Sequence, residues 1–249
     1  MFYEVMKFLA RPLCYLLFWP IVKGRHNIPA TGPAIFASNH IGVGETFLLP
    51  VVVKPQVTFP AKKELFRTDT LLHRAATWFL TMIHQVPMDR TGGNASSGAL
   101  GSIQEVLRAG GFVAVFPEGH RSPDGRLYKG HTGVARLALA DDVPIIPVGC
   151  FRTRFVRRWL PFPWLYRPEL CFGEPFHLSA EQREAFLGAP DYKQASTVLR
   201  QATADVMVKI QAITGQEMVD EYSYVPRKVG AATTSRRRRL GQPKPEDNR

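Results

Sequence analysis

Cysteine is scarce: the 249 residues hold three, Cys14, Cys150 and Cys171, with no CxxC pair. An odd count without paired spacing argues against a disulfide scaffold or a zinc site and favours a reducing compartment. Several short catalytic signatures are missing as well. There is no GxSxG elbow, no GxxxxGK[ST] loop and no HExxH pair, and Gly42-Val43-Gly44 lacks the third glycine of a GxGxxG because Phe47 stands there. Serine hydrolase, P-loop and dinucleotide chemistry are therefore set aside. The N-terminal apolar run from Pro12 to Val22, PLCYLLFWPIV, has 11 residues. A bilayer span takes about 20. No internal repeat is visible.

What is present suits one globular domain: hydrophobic residues make up 45% and charged residues 21%. The formal net charge is +11, which calls for an anionic partner such as nucleic acid, an anionic membrane or a phosphorylated substrate. Much of that charge sits at the end. Residues 226–249 carry eight basic side chains, the Arg236–Arg239 run among them, against Glu246 and Asp247, and are expected to form a basic disordered tail. At the other end, residues 1–23 read as a membrane-interfacial helical segment, aromatic-rich and flanked by Lys7, Arg11, Lys23 and Arg25, with helix breaks expected at Pro12 and Pro20. The competing reading is a helix packed on a soluble core.

Between these ends, residues 24–225 alternate short buried strands with amphipathic helices. Strands are expected at 34–37, 51–59, 112–116 and 143–151. Helices are expected over 70–83, at Leu100, Ile103 and Leu107, over 132–140, and along a stretch from Ala195 to Ile213. Ser179 with Gln182 reads as a capping box and Gly188 as a C-cap. The pattern predicts an α/β fold: a single domain with a mostly parallel central sheet flanked by helices. In such folds, sites lie at the carboxyl ends of strands. His40 and Glu118 both fall just past an expected strand end.

Two clusters at those ends carry candidate chemistry. In Asn39-His40-Ile41-Gly42-Val43-Gly44-Glu45, an imidazole is followed five positions later by a carboxylate. Imidazole can take a hydroxyl proton near neutral pH, and a carboxylate on its other nitrogen fixes the tautomer. Gly42 and Gly44 are expected to let the loop fold back so that Glu45 meets His40. The plainer alternative is a loop histidine beside an unrelated surface acid. In Phe116-Pro117-Glu118-Gly119-His120-Arg121-Ser122, Glu118 and Arg121 are expected at the mouth of a tight turn. There Arg121 can hold a phosphate and the Gly119 backbone can approach an anion. Here the alternative is a solvated ion pair worth little.

Taken in order, four blocks resemble the lysophosphatidic acid acyltransferase family of the glycerolipid acyltransferase superfamily. They are Asn39-His40 to Glu45; Lys62-Lys63-Glu64-Leu65 with Val86-Pro87-Met88-Asp89-Arg90; Phe116 to Ser122; and Val143 to Val148. The resemblance covers about residues 24–175. It implies that His40 deprotonates an acceptor hydroxyl, supported by Glu45. It also implies that Arg121 and Arg90 hold the acceptor's phosphate with Lys62 nearby, that Glu118 and Gly119 help form the substrate site, and that Val143 to Val148 is a structural and acyl-binding strand. The acceptor would be lysophosphatidic acid or another phosphate-bearing lysolipid. The donor would be acyl-CoA or acyl carrier protein, with no metal, no other cofactor and no nucleic acid partner. An anionic membrane surface is the expected setting, with the protein peripheral or monotopic on its cytosolic face. Three departures stand out: Glu45 replaces the family's usual Asp, His120 its usual Thr, and the gap from Leu65 to Arg90 is longer than usual. The remaining rivals are the same chemistry on glycerol 3-phosphate, another lysophospholipid or a lipid sugar, and a non-catalytic protein that binds anionic membranes.

Overall fold

In a computed structural model, residues 2–88, 94–154, 156–157, 163–164 and 167–223 are described. Helix α1 (Phe2–Phe18) leads through strand β1 (Ile21–Lys23) to strand β2 (Ala34–Ser38), helix α2 (Gly44–Val52) and strand β3 (Val57–Lys62). Helix α3 (Leu71–Met82), strand β4 (Gln85–Met88), helix α4 (Asn94–Arg108) and strands β5 (Phe112–Val115) and β6 (Leu127–Tyr128) come next. The second half holds helix α5 (Gly133–Asp141), strand β7 (Ile145–Phe151), the short strands β8 (Val156–Arg157) and β9 (Pro163–Trp164), strand β10 (Glu169–Phe172), helices α6 (Ala180–Leu187) and α7 (Tyr192–Thr214), and strand β11 (Met218–Val219). The expected basic tail at 226–249 lies outside the described residues.

Seven strands form one sheet in the order β1-β10-β7-β2-β5-β3-β4. Only the β10–β7 pair is antiparallel; the other described pairings of this sheet are parallel. Strand alternation assigns each side chain to a face. Ile35, Ala37, Val113, Val115 and Ile145 point into a core closed by α4, α5 and α7, where Ile103, Leu137, Val206 and Ile210 are buried. Ala34, Phe36, Ala114, Ile146 and Val148 point the other way, onto Leu48, Leu49 and Val52 of α2. A sheet buried on both faces needs strands apolar at every position, which is why the strands at 34–37, 112–116 and 143–151 are legible in the sequence.

Three local expectations are corrected. The run Val51-Val52-Val53 is not the start of a strand: Leu48, Leu49 and Val52 are buried at helical spacing and end α2, and the strand begins at Val57. β-Branching favoured a strand there, and packing against the sheet overrides it. Pro12 does not break α1, which runs through it. Pro12 and Phe8, whose carbonyl loses its donor, both lie on the exposed side of the helix. Residues 21–23, grouped with the N-terminal helical segment in the sequence, form the edge strand β1, paired with β10.

Helix α1 is two-sided. Tyr3 and Lys7 are buried, and Cys14, Tyr15 and Phe18 pack on the α2 side of the core. Lys7, read from the sequence as a cation flanking an apolar segment, turns inward. Its ammonium donates to the Lys54 carbonyl and to the Pro55 carbonyl (3.2 Å), just beyond the end of α2, and burial lowers its pKa. Val5, Phe8, Leu9, Leu13, Leu16 and Trp19 remain exposed, Phe8 by 78%.

Gly42 has no side chain because none would fit. A Cβ there would stand 2.2 Å from the Thr153 carbonyl oxygen and 2.4 Å from its carbon. Gly101, inside α4, would have nothing within 4 Å of an added Cβ. Gly42→Ala is expected to cost about 1–3 kcal/mol through overpacking against rigid backbone. That lowers Tm by about 2–4 °C per kcal/mol in a chain of this size. Gly101→Ala should leave Tm unchanged or raise it, since alanine is the better helix former by about 1 kcal/mol. Thermal melting of the two variants side by side checks both.

Candidate active site

The site is built at the carboxyl ends of β2, β5 and β7, three neighbouring strands of the sheet. Just past β2, the Asn39 side chain imitates a strand. Its Oδ1 accepts from the Cys150 N–H (2.7 Å) and its Nδ2 donates to the Cys150 carbonyl (3.1 Å), which extends the β2–β7 pairing by one step. His40 is thereby delivered at a fixed point beyond the strand.

The His40 backbone is then held from both sides. Its N–H donates to Glu118 Oε2 (2.8 Å), and its carbonyl accepts from the Ser122 N–H (2.7 Å). The ring stacks on Phe116, with centroids 4.1 Å apart and planes 15° from parallel. Nδ1 lies 2.8 Å from Glu45 Oε1. A carboxylate oxygen accepts, so Nδ1 carries the proton and Nε2 keeps its lone pair for a base's work. The His40 side chain is 16% exposed, against 0% for Glu45. The ring is thus reachable from solvent while the carboxylate beside it is dry.

Glu45 reaches His40 from the first turn of α2, not from a loop folded back on itself. Its Oε1 also accepts from the Gly42 N–H at 2.8 Å. A carboxylate at a helix N-terminus is favoured by the helix dipole. Gly42 serves by its close approach to Thr153, whose carbonyl also accepts from the Gly44 N–H (3.0 Å). The extra methylene of Glu relative to Asp is accommodated here, since Oε1 meets both donors. Among the described residues, Oε2 is buried with no hydrogen-bond partner, an energetic cost of the kind functional sites retain.

Glu118 does not stand at the mouth of the turn. It is fully buried, and its two oxygens accept from backbone N–H groups: Oε2 from His40 and Oε1 from Tyr128 (2.9 Å). Burial raises its pKa to about 7 despite those two bonds, which pull the other way. Gly119 has φ +71°, and a Cβ there would lie 2.8 Å from the His131 ring, so both conformation and space demand glycine. Arg121 is exposed, and its guanidinium has no ion pair among the described residues. The structure therefore brings His40, Glu45, Glu118, Gly119 and Arg121 together. Arg90 lies outside the described residues. Lys62 closes β3, which together with β5 belongs to the same sheet, but its side chain is not among those described. The strand from Val143 is core: Ile145 is buried on one face, and Ile146 and Val148 on the other.

Two contributors escaped the motif reading. Arg154, just past β7, donates from Nε to the Ile41 carbonyl and from Nη2 to the Ser122 carbonyl, both at 2.8 Å. Gln216, just past α7, accepts from Asn39 Nδ2 at 2.8 Å. Neither belongs to a motif, and only the fold brings them near His40. Among the described residues, no three His, Cys, Asp or Glu side chains come together in a way that could hold a metal ion.

At the strand ends of an α/β sheet, a buried carboxylate thus meets a histidine ring beside an exposed arginine. The acyltransferase family model matches residues 20–151, and the chain belongs to that family. Curated proteins that it resembles are named 1-acyl-sn-glycerol-3-phosphate acyltransferases. It is 28% identical over 128 residues to a chloroplastic 1-acyl-sn-glycerol-3-phosphate acyltransferase of Arabidopsis thaliana, covering 51% of this chain and 34% of the relative. A 1-acyl-sn-glycerol-3-phosphate acyltransferase of Pseudomonas aeruginosa is 26% identical over 164 residues, or 64% of this chain and 60% of the relative. The alpha form from Mus musculus is 32% identical over 127 residues, covering 51% of this chain and 43% of that protein. The chain thus spans roughly a third to three fifths of the length of these relatives. The fold is also that of the 1-acyl-sn-glycerophosphate acyltransferase PlsC of Thermotoga maritima, with a TM-score of 0.55 at 21% identity, covering 84% of this chain and 78% of that one.

The raised pKa of Glu118 has a signed consequence. Between its ordinary 4.5 and about 7, the folded protein keeps a proton that the unfolded chain has released. Its contribution to stability is therefore full below that ordinary value and is lost as pH rises through about 7. Glu118→Gln, which cannot titrate, should show a flatter Tm against pH across that window than the native protein. Parallel curves would mean that Glu118 ionises as an ordinary carboxyl.

Proposed function

We propose that this protein moves a fatty acyl group from a thioester, acyl-CoA or acyl carrier protein, to a hydroxyl of lysophosphatidic acid or a similar phosphate-bearing lysolipid. The observation that carries the reading is the His40 Nδ1–Glu45 contact at 2.8 Å in a ring whose backbone is tied to the loop of Arg121. The acceptor hydroxyl gives its proton to His40 Nε2 as its oxygen attacks the thioester carbon. The C–S bond then breaks, and the departing thiolate takes up the proton held on the imidazole. Glu45 stabilises the transient imidazolium. General base assistance of this kind contributes about 10²–10⁴-fold. Arg121 holds the acceptor phosphate by charge-assisted hydrogen bonds, joined by Arg90 and Lys62. The curated relatives' names support the acceptor class, and the pairing of a base with an exposed arginine supports a hydroxyl on an anionic substrate.

The same reading has the protein work as a peripheral or monotopic protein on an anionic membrane surface, facing the cytosol. No described helix is long and apolar enough to cross a membrane. Instead, α1 offers Val5, Phe8, Leu9 and Pro12 along a surface groove that also includes Arg11. An apolar-faced helix is suited to lying in the interface. Replacing Phe8 and Leu16 together with Glu should weaken co-sedimentation with anionic vesicles while Tm is retained. Undiminished vesicle binding would remove α1 from the membrane surface.

Release of free thiol, followed across a panel of acceptors, tests the activity. Lysophosphatidic acid is expected to outpace glycerol 3-phosphate and monoacylglycerol; a reversed order would assign another acceptor to the same chemistry. Within that assay, Glu45→Gln should lose most of the turnover, because an amide cannot stabilise the imidazolium as a carboxylate does. Glu45→Asp should keep a good part of it. A fully active Glu45→Gln would dismiss the dyad.

A further inference from the structure

The base and the exposed arginine sit on different loops: His40 comes after β2, and Arg121 after β5. An acceptor that presents a hydroxyl to one and a phosphate to the other needs those loops at a fixed separation. Two side chains, both beyond the residues matched by the family model, cross between them. On one side of His40, Gln216 accepts from Asn39 Nδ2 (2.8 Å) and donates from Nε2 to the Gly125 carbonyl (2.5 Å). On the other side, the Arg154 guanidinium joins the Ile41 carbonyl to the Ser122 carbonyl, each at 2.8 Å. The bridged positions are 39 and 41, flanking His40, and 122 and 125, just after Arg121.

Gln216 is itself anchored by residues 217–223. The Glu217 carbonyl accepts from the Leu127 N–H (2.9 Å), β11 runs parallel to β6, and the Glu221 carbonyl accepts from the Lys129 N–H (3.0 Å). The Ser223 hydroxyl then donates to the Arg121 carbonyl (3.3 Å). Residues 216–223 thus lie along the arginine loop for its whole length, and Gln216 is where this strap reaches across to the histidine loop. Within the loop, the Gly125 N–H donates to Ser122 Oγ (2.9 Å), so the two bridged points of the arginine loop are linked to each other.

We propose that Gln216 and Arg154 are positioning residues that cross-brace the two loops and set the distance between His40 and Arg121, and with it the selection of an acceptor whose hydroxyl and phosphate match that distance. This rests on the acylation of a phosphate-bearing acceptor proposed above. Neither side chain need touch the reacting atoms. Both act beside the direct ties of His40 to Glu118 and to the Ser122 N–H, and because either brace alone still stiffens that junction, they back each other up. Misplacement of a reacting group by about 1 Å can cost about 10²-fold.

The test combines kinetics with a spectroscopic readout. Gln216→Ala, Arg154→Ala and the double variant are compared with the native protein for thiol release with lysophosphatidic acid and with monoacylglycerol, its phosphate-free analogue. The His40 ring NMR resonance is followed in parallel, identified by its absence from His40→Ala. With lysophosphatidic acid, kcat is expected to fall in each single variant. In the double variant it should fall by more than the product of the two single losses, up to about 10²-fold. The preference over monoacylglycerol should shrink, and the His40 resonance should move. Gln216→Glu, which keeps the acceptor for Asn39, and Arg154→Lys should recover part of the loss, and they carry the test if an alanine variant fails to fold. Equal losses on both acceptors, losses that merely multiply, or a His40 resonance that stays in place in the double variant would overturn the bracing. A native protein without preference for the phosphate-bearing acceptor would instead sink the acceptor assignment; a His40 resonance that still moved in the variants would leave the bracing standing.

Discussion

One buried carboxylate holds the two halves of the site together. Glu118 lies fully inside the protein, where an ionised group is costly, and it is retained there by two backbone N–H groups, from His40 and Tyr128. Each of those amides would otherwise lack this partner near the end of a strand, and an unpaired buried N–H costs about 1–3 kcal/mol. The carboxyl therefore links the end of β2 to the strand β6 that comes after the arginine loop. Burial wins over the hydrogen bonds in setting its proton affinity, with a pKa of about 7. The position of the His40 ring results from this constraint: the backbone is pinned first, Phe116 supports one face of the ring, and Glu45 selects its tautomer.

The parts of the fold legible in the sequence are those whose chemistry is local. Residues 34–37, Phe112–Val115 and Ile145–Phe151 are apolar at consecutive positions because both faces of the sheet are covered, and a continuous apolar run announces itself. The capping box of Ser179 and Gln182 is likewise local, and both of its bonds form. The illegible parts depend on distant partners. Strands β1 and β10 pair Ile21 with Glu169 across most of the chain, and three or four residues carry too little pattern to signal that. The run Val51–Val53 reads as a strand until α2 is seen to pack its Leu48, Leu49 and Val52 on the sheet.

The site divides in the same way. His40 with Glu45, and Glu118 with Arg121, stand out because each pair is close in sequence and its residue types suit acid–base and anion chemistry. Burial is what the motif could not supply: Glu118 has the look of a surface acid in a turn, yet its contacts are internal. Gly42 suggests a flexible loop, yet its lack of a side chain answers the Thr153 carbonyl 111 residues further along the chain. Gln216 and Arg154 belong to no motif, since polar residues after a helix or a strand are ordinary. Their significance lies in which carbonyls and amides they reach. A family pattern over residues 20–151 thus covers His40, Glu45, Glu118 and Arg121, while the segments on either side supply the apolar-faced α1 and the strap of residues 216–223.

The central claim is that His40 takes the acceptor's proton. It is tested most directly by following thiol release from acyl-CoA with lysophosphatidic acid, native protein against His40→Ala, with the acylated product identified. The account predicts product from the native protein and a loss of about 10²–10⁴-fold in the variant, with its melting temperature preserved. Product formed at the native rate by His40→Ala would contradict it, and would move the base to another residue.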